Sequence, residues 1–463
     1  MSGFSHDLAR FVVETKFEDL PGEVVYEAKR LLLDSIGCAI AGITSDTGKI
    51  SVGLARRLGG PPESSIIGLG DKVSCCNAAF VNGELIRALD YDAVYHIPPF
   101  VIPPSLALAE SVRGSGRDLI LATVLGHEIS KRFSLALSNY IRAMADGKSD
   151  PSVYGVGHEC IFGGAAGAGK ILKLGHKEII HALGIVGYLC PVPSSKKEAV
   201  TVPRSMLRYA PAGWECSAAV TAVLLAEMGF IGDTTVFDGE YGFWRFYGSE
   251  KWNPNVVMDK LGKTWLFLDF NYKHYPCCRL LHSELDCFIS IIEKNNLMAE
   301  DIESVRSFSP PYGRFFSLPT EVTNEVDAQF CPSYLFAVAA HRVKAGTDWQ
   351  DLNTRRDPEI REFMKKVSFE EHPDFLEAKS KDRRSLLSKV EVVAKGETFR
   401  EERMYAKGTS FTEYRTTDEE LVEKFRENVS KVLTEDKIDK AVGMLLELER
   451  VENIQELMKQ VTL

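Results

Sequence analysis

No apolar run in the sequence approaches the ~18 residues that a helical membrane span requires. The nearest candidate, residues 179–192, is interrupted by His181, Gly184, Gly187 and Pro191. Basic clusters are missing too. The chain's 55 Lys and Arg are outnumbered by 65 Asp and Glu, for a net charge of −10, and no Lys/Arg stripe interleaves with aromatics. That argues against a nucleic-acid partner, while leaving room for a locally positive pocket that takes an anion. The first twenty residues have no basic segment followed by an apolar core and a cleavage site, so no signal peptide is expected. Ten cysteines are scattered, often in apolar stretches, and Cys38, Cys190, Cys216 and Cys287 read as small core residues. Reduced thiols and a cytoplasmic location follow as expectations.

Nucleotide and metal signatures are equally thin. Residues 164–170 read G-A-A-G-A-G-K, but Ile171 stands where a P-loop places the Ser or Thr that holds magnesium. The run is alanine-rich and periodic, the pattern of a close-packed helix. Gly155 and Gly157 are followed by Cys160 where a dinucleotide fingerprint needs its third glycine. His274, Cys277, Cys278 and His282 fall close together, yet adjacent cysteines do not easily share one tetrahedral site and no C-x2–4-C pair is present. His127-Glu128 lacks the second histidine of a metalloprotease helix, and no G-x-S-x-G elbow occurs. Neither cofactor nor metal is expected.

What is present is a globular composition, 45% hydrophobic and 26% charged. Up to about residue 265 the periodicity is helical. Val25, Ala28, Leu32 and Ile36 share a face after Pro21, and the segment closes on Gly37 and Gly42, small residues that let helices approach. Helices are predicted at about 77–89, 105–112, 118–137, 162–174, 176–188 and 215–228, with a proline-rich loop at 96–104. Strand-like alternation then appears at 303–308, 367–370 and 389–394, with Lys395-Gly396-Glu397 as a hairpin turn into 398–404. Thr417 and Glu420 make a capping-box pattern at the start of a helical tail. The expected fold is mostly α: a large all-helical domain (1–265 with 406–463) and a smaller α+β lid domain (266–405).

The most informative run is A-L-D-Y-D-A-V-Y-H-I-P-P, carrying Asp90, Asp92 and His96 at a helix exit. Carboxylates close to an imidazole shift one another's pKa and can move protons. A capping aspartate and a surface histidine would give the same pattern.

With this run in place the sequence resembles the MmgE/PrpD family from end to end. The resemblance is carried in order by LPGEVVYEAKRLLLDSIGCAIAG, NGELIRALDYD, IPPSLALAESVRGSGRDLILATVLGHEIS, FGGAAGAGKILKLGHKEIIHALGIVGY, AAVTAVLLAEMGFIGD, YKHYPCCRLLHSELD and DEELVEKFRENVSKVL. It implies small carboxylated substrates held between a helical domain and a lid, no metal, and usually a homodimer. It matches Asp90 to the family's aspartate in L-D-[FY]-D, His96 to a histidine before the proline loop, and Lys273 to the lysine of K-x-[YF]-P. Three positions depart. Tyr154 stands where the family has a histidine, with His158 four residues on. Arg208 replaces a lysine, and Cys278 replaces the histidine of the decarboxylases.

The resemblance implies proton removal or delivery alpha to a carboxylate, whose developing enediolate needs fixed positive charge. Lys273 and Arg208 are the candidates for that charge, Arg208 as a bidentate clamp. Asp90 would orient or activate His96, and His96 would serve as base or acid. Tyr154 or His158 would act on the opposite face, and Cys278 would line the substrate. Loss of hydroxide then makes a dehydratase, loss of carbon dioxide a decarboxylase, and return of the proton an epimerase or isomerase. A catalytically silent binding homologue is the reading from another class. The apolar loop IPPFVIPP suggests a substrate with fewer charges than citrate.

Overall fold

The computed structural model describes residues 3–137, 157–249, 251–312 and 317–463. Among the described residues, nine helices of more than ten residues organise the first part: α1 (Phe4–Glu14), α2 (Gly22–Gly42), α3 (Asp46–Leu58), α4 (Cys75–Arg87), α5 (Pro98–Ser111), α6 (Gly116–Ala136), α7 (Cys160–Ile171), α8 (His176–Leu189) and α9 (Ala212–Glu227). A two-stranded ladder, β1 (Ser64–Ser65) with β2 (Lys72–Val73), interrupts them. Ser45, Ser74 and Ser115 start α3, α4 and α6 by accepting a backbone N–H three residues on, the ordinary N-cap. Among the described residues no helix is long and apolar enough to cross a membrane.

Small residues set how tightly these helices cross. A Cβ on Gly126 of α6 would lie 2.8 Å from Gly163 O of α7, and one on Gly163 would collide with Gly126 O and Ser130 Oγ. The G-A-A-G-A-G-K run is therefore the buried interior of α7, and its Lys170 donates to Val13 O at 2.8 Å.

The proline-rich stretch corrects the sequence reading in part, because residues 98–104, expected as loop, form the first half of helix α5, which runs on into the predicted helical segment. Pro98 and Pro99 occupy the first turn, where the missing N–H costs nothing. Pro103 and Pro104 lie inside the helix and cannot donate to the carbonyls of Pro99 and Phe100. The Cys216 thiol takes up both oxygens, at 3.0 Å and 3.7 Å. Glycines let neighbouring backbone close over them: a Cβ on Gly83 would sit 3.1 Å from Pro99 O, and one on Gly164 2.7 Å from Phe100 O.

The second part is α+β. Helix α10 (His282–Lys294) packs on a sheet of β3 (Ile302–Ser309), β4 (Val367–Glu371), β5 (Ser388–Ala394) and β6 (Glu397–Arg403), with α11 (Pro332–Ala340) alongside. The strand order is β4-β3-β5-β6, with β3 and β4 parallel and the rest antiparallel. Ala394 pairs with Glu397, and the two residues between them, Lys395 and Gly396, both have positive φ, as a type I′ hairpin demands.

The tail forms α12 (Asp418–Val429), α13 (Glu435–Leu446) and α14 (Ile454–Gln460). Thr417 and Glu420 make the expected capping box. Phe425 of α12 packs on Gly37 of α2, where a Cβ would stand 3.0 Å from its ring. One hydrophobic core accordingly draws on residues from Leu8 to Tyr272 and again from Leu421 to Val461, and a second on residues from Tyr275 to Ala394. We propose this partition as the domain division.

Candidate active site

Helix α4 ends at Arg87, and the chain continues through Ala88, Leu89, Asp90 and Tyr91 with carbonyls that no helix repeat satisfies. Each is taken by a side chain from elsewhere, buried or, for Lys424, nearly so. Arg208 Nη2 donates to Arg87 O and, at 3.1 Å, to Ala88 O. Gln329 Nε2 reaches Ala88 O at 3.0 Å, and Gln350 Nε2 reaches Leu89 O at 2.8 Å. Lys273 Nζ donates to Asp90 O at 2.7 Å, and Lys424 Nζ to Tyr91 O at 2.9 Å. Three of these partners are cations, the charge that the C-terminal end of a helix favours. Residues from both cores thus converge on five consecutive carbonyls.

This cradle holds the acidic run. Asp90, Tyr95 and His96 all have positive φ, a conformation that non-glycine residues adopt at a cost of about 1 kcal/mol or more each. Asp90 Oδ1 lies 3.1 Å from Lys273 Nζ, and both side chains are fully buried. His96 Nδ1 meets Asp92 Oδ2 at 2.9 Å, while its Nε2 lies 3.7 Å from Asp90 Oδ1. Because a carboxylate only accepts, Asp92 fixes the proton on Nδ1 and leaves Nε2 as the basic nitrogen. Burial alone would raise the Asp92 pKa. The imidazole, its hydrogen bond, Lys273 and Arg208 outweigh that and hold it below the ordinary carboxylate value. The His96 ring stacks on Tyr209 at 4.6 Å.

His96, Asp90 and Arg208 line one narrow cavity with Arg87, Pro99, Phe100 and Tyr209, closed in this structure to ≈ 10 Å³, the room of about one water, so a substrate enters only as its walls part. A wider surface groove elsewhere is lined by Phe17, Tyr26, Lys29 and Arg117, but its charges are already spent on each other, Lys29 on Glu449 and Arg117 on Glu18.

The structure thus brings Asp90, His96, Lys273 and Arg208 together. Arg208 is not arranged as a bidentate clamp. Its Nη1 donates to Gln329 Oε1 and its Nη2 to two carbonyls, which leaves Nε as the nitrogen without a partner. Cys278 is buried near Asp90 but is not among the residues that line the cavity, and burial together with that aspartate raises its thiol to about 11, so it is protonated at neutral pH. His158 lies outside the residues that line the cavity. It is buried beside Tyr247, and burial, with Arg87 nearby, lowers it to about 4. Tyr154 lies outside the described residues.

Sequence reasoning passed over Gln329, Gln350, Lys424 and Tyr209. Lys424 left a trace: it sits on the buried stripe of α12 with Leu421, Phe425 and Asn428, a charged residue at a core position. Its partner Asp34, at 2.7 Å, is likewise a lone acid inside an apolar run.

Asp90, Asp92 and His96 also form the one group among the described residues that could offer three metal-ligand atoms, all within 4.8 Å of one another. The Lys273 ammonium already supplies the positive charge that a metal would bring to Asp90.

A helical bundle and an α+β unit thus meet at a buried carboxylate–imidazole–ammonium cluster. The model of the MmgE/PrpD N-terminal domain matches residues 6–255 and that of the MmgE/PrpD C-terminal domain residues 275–448, so the chain belongs to the MmgE/PrpD family. It is 27% identical over 474 residues to a cis-aconitate decarboxylase of Homo sapiens, spanning 98% of this chain and 93% of that protein. The Mus musculus cis-aconitate decarboxylase is 24% identical over 482 residues, spanning 98% and 92%. One from Aspergillus terreus is 26% identical over 302 residues, covering 62% of this chain and 59% of its own length. At the coarse level these likenesses support an enzyme of the lyase type.

Proposed function

We propose that this protein is a lyase, a dehydratase or decarboxylase, that moves a proton alpha to the carboxylate of a small organic acid without a metal. The observation that carries the reading is His96, pinned through Nδ1 to a buried Asp92 with Nε2 turned toward Asp90 and the cavity. His96 Nε2 takes or gives the proton, a contribution of about 10²–10⁴ in rate. Asp92 holds the tautomer. The enediolate that develops is stabilised by Arg208 and by Lys273, whose charge acts through Asp90 in a site shielded from water. Return of the proton in place of bond cleavage would make an epimerase from the same first step.

The partner is the substrate itself, with neither nucleic acid nor membrane surface called for. We further propose a cytoplasmic homodimer. All ten cysteines are free thiols. The exposed rings of Tyr188 and Phe246, 5.8 Å apart, supply an apolar face for a second copy, to be read by light scattering.

The test is proton NMR in deuterated water of hydroxy-, unsaturated and amino-acid carboxylates, with wild type beside His96→Gln. Water loss, carbon dioxide loss or deuterium uptake by wild type alone supports the reading and names the reaction. Equal exchange by His96→Gln removes His96 from the chemistry, and inertness of both toward bound carboxylates defeats the proposal.

A further inference from the structure

The cations around the cavity differ in how far their charge is already answered. Arg87 Nε binds Glu84 at 3.1 Å, and its other two nitrogens donate to the carbonyls of Met206, Arg208 and Ala210. Lys273 is paired with the carboxylate and carbonyl of Asp90. Arg208 is the exception. It is fully buried, its hydrogen-bond partners are an amide oxygen and two carbonyls, all neutral, and its Nε has none. A buried guanidinium without a contacting counter-ion is costly unless an anion arrives to answer it.

Among the described residues the rest of the cavity wall offers no second anion site. Pro99 and Phe100 at the start of α5 present hydrocarbon, as does the ring face of Tyr209 stacked on His96. The acidic group facing the cavity, Asp90, has a carboxylate oxygen without a partner and repels anions.

We propose that the substrate is a monocarboxylate with a compact apolar body, its single carboxylate on Arg208 Nε and its body against Pro99, Phe100 and Tyr209. This deepens the reading of the same site given above. A second or third carboxylate would have to strip Arg87 or Lys273 from partners it already holds, or remain buried unpaired, at a cost of several kcal/mol. The protein therefore departs from relatives named for a tricarboxylate.

The experiment is titration calorimetry on the full-length wild-type protein with tiglate, a branched unsaturated monocarboxylate, against cis-aconitate, alongside the exchange assay. Tiglate is expected to bind at least about tenfold more tightly. Arg208→Gln should abolish that preference. Because Arg208 also holds the end of α4, Phe100→Ala serves as the second variant and should weaken tiglate while leaving acetate unchanged. Tighter binding of cis-aconitate, or no binding of tiglate at millimolar concentration, overturns the proposal. Preferred binding of tiglate with no proton exchange on any acid would leave this proposal standing and defeat the lyase reading.

Discussion

His127 on α6 gives a sharp test of how this core treats a titratable ring. It is fully buried, faces the rings of Phe267 at 5.0 Å and Phe270 at 5.5 Å, and neither of its nitrogens has a partner. Burial, aided by Lys131 one turn on, lowers its pKa to about 3. In an unfolded chain the ring titrates near ~6.5. Between those values the unfolded state binds the extra proton, so stability rises with pH across the window and is lost as pH falls below 6.5. At pH 5 the unfolded state gains about 2 kcal/mol from protonating this one ring, and at pH 7 almost nothing. His127→Leu removes the ring and both unpartnered nitrogens. Urea unfolding of wild type and variant at pH 7 and pH 5, at one ionic strength, should show wild type losing about 2 kcal/mol more than the variant. His158 and His274, lowered to about 4 and about 3, act in the same direction in both proteins and cancel in the difference. Equal losses in the two proteins would show that His127 is already protonated, or hydrated, in the native state.

Asp92→Asn frees His96 to take the other tautomer and should lower kcat by about 10²–10⁴ with little change in KM or melting temperature; a collapse in stability instead would make Asp92 structural. Lys424→Met strands buried Asp34 and should cost about 3–5 kcal/mol in urea unfolding. Adding Asp34→Asn should restore most of the stability but not turnover, since Tyr91 O remains unheld; full recovery of both would refute its positioning role. Gly163→Ala should destabilise by about 1–3 kcal/mol through collision with α6. Gly53→Ala in α3, where a Cβ meets nothing within 4 Å, should stabilise by about 0.5–1 kcal/mol, and thermal melts of the pair decide whether helix crossing or propensity governs.

Much of this molecule was legible because its signals are local. Periodicity located the helices, the Lys395-Gly396 pair announced a hairpin, and Thr417 with Glu420 marked the tail's first turn. The first two turns of α5 were not legible, because the rule that proline breaks helices assumes that the freed carbonyls go unanswered. Here a thiol 113 residues beyond Pro103 and two close-packed glycines answer them. The same division runs through the site. Asp90, Asp92 and His96 stand in one short run and were read from it. Gln329, Gln350 and Lys424 are recruited by backbone carbonyls, which every residue possesses, so composition cannot mark which ones await a partner.

The grip of Lys424 on Tyr91 O joins residues 333 positions apart. During synthesis at about 5–20 residues per second, the acidic loop waits roughly 15–70 s between leaving the ribosome and meeting the lysine that holds it. For that interval the loop carries its strained residues without this restraint. The restraint arrives late, with the helix that carries Lys424, long after the loop it holds has been made.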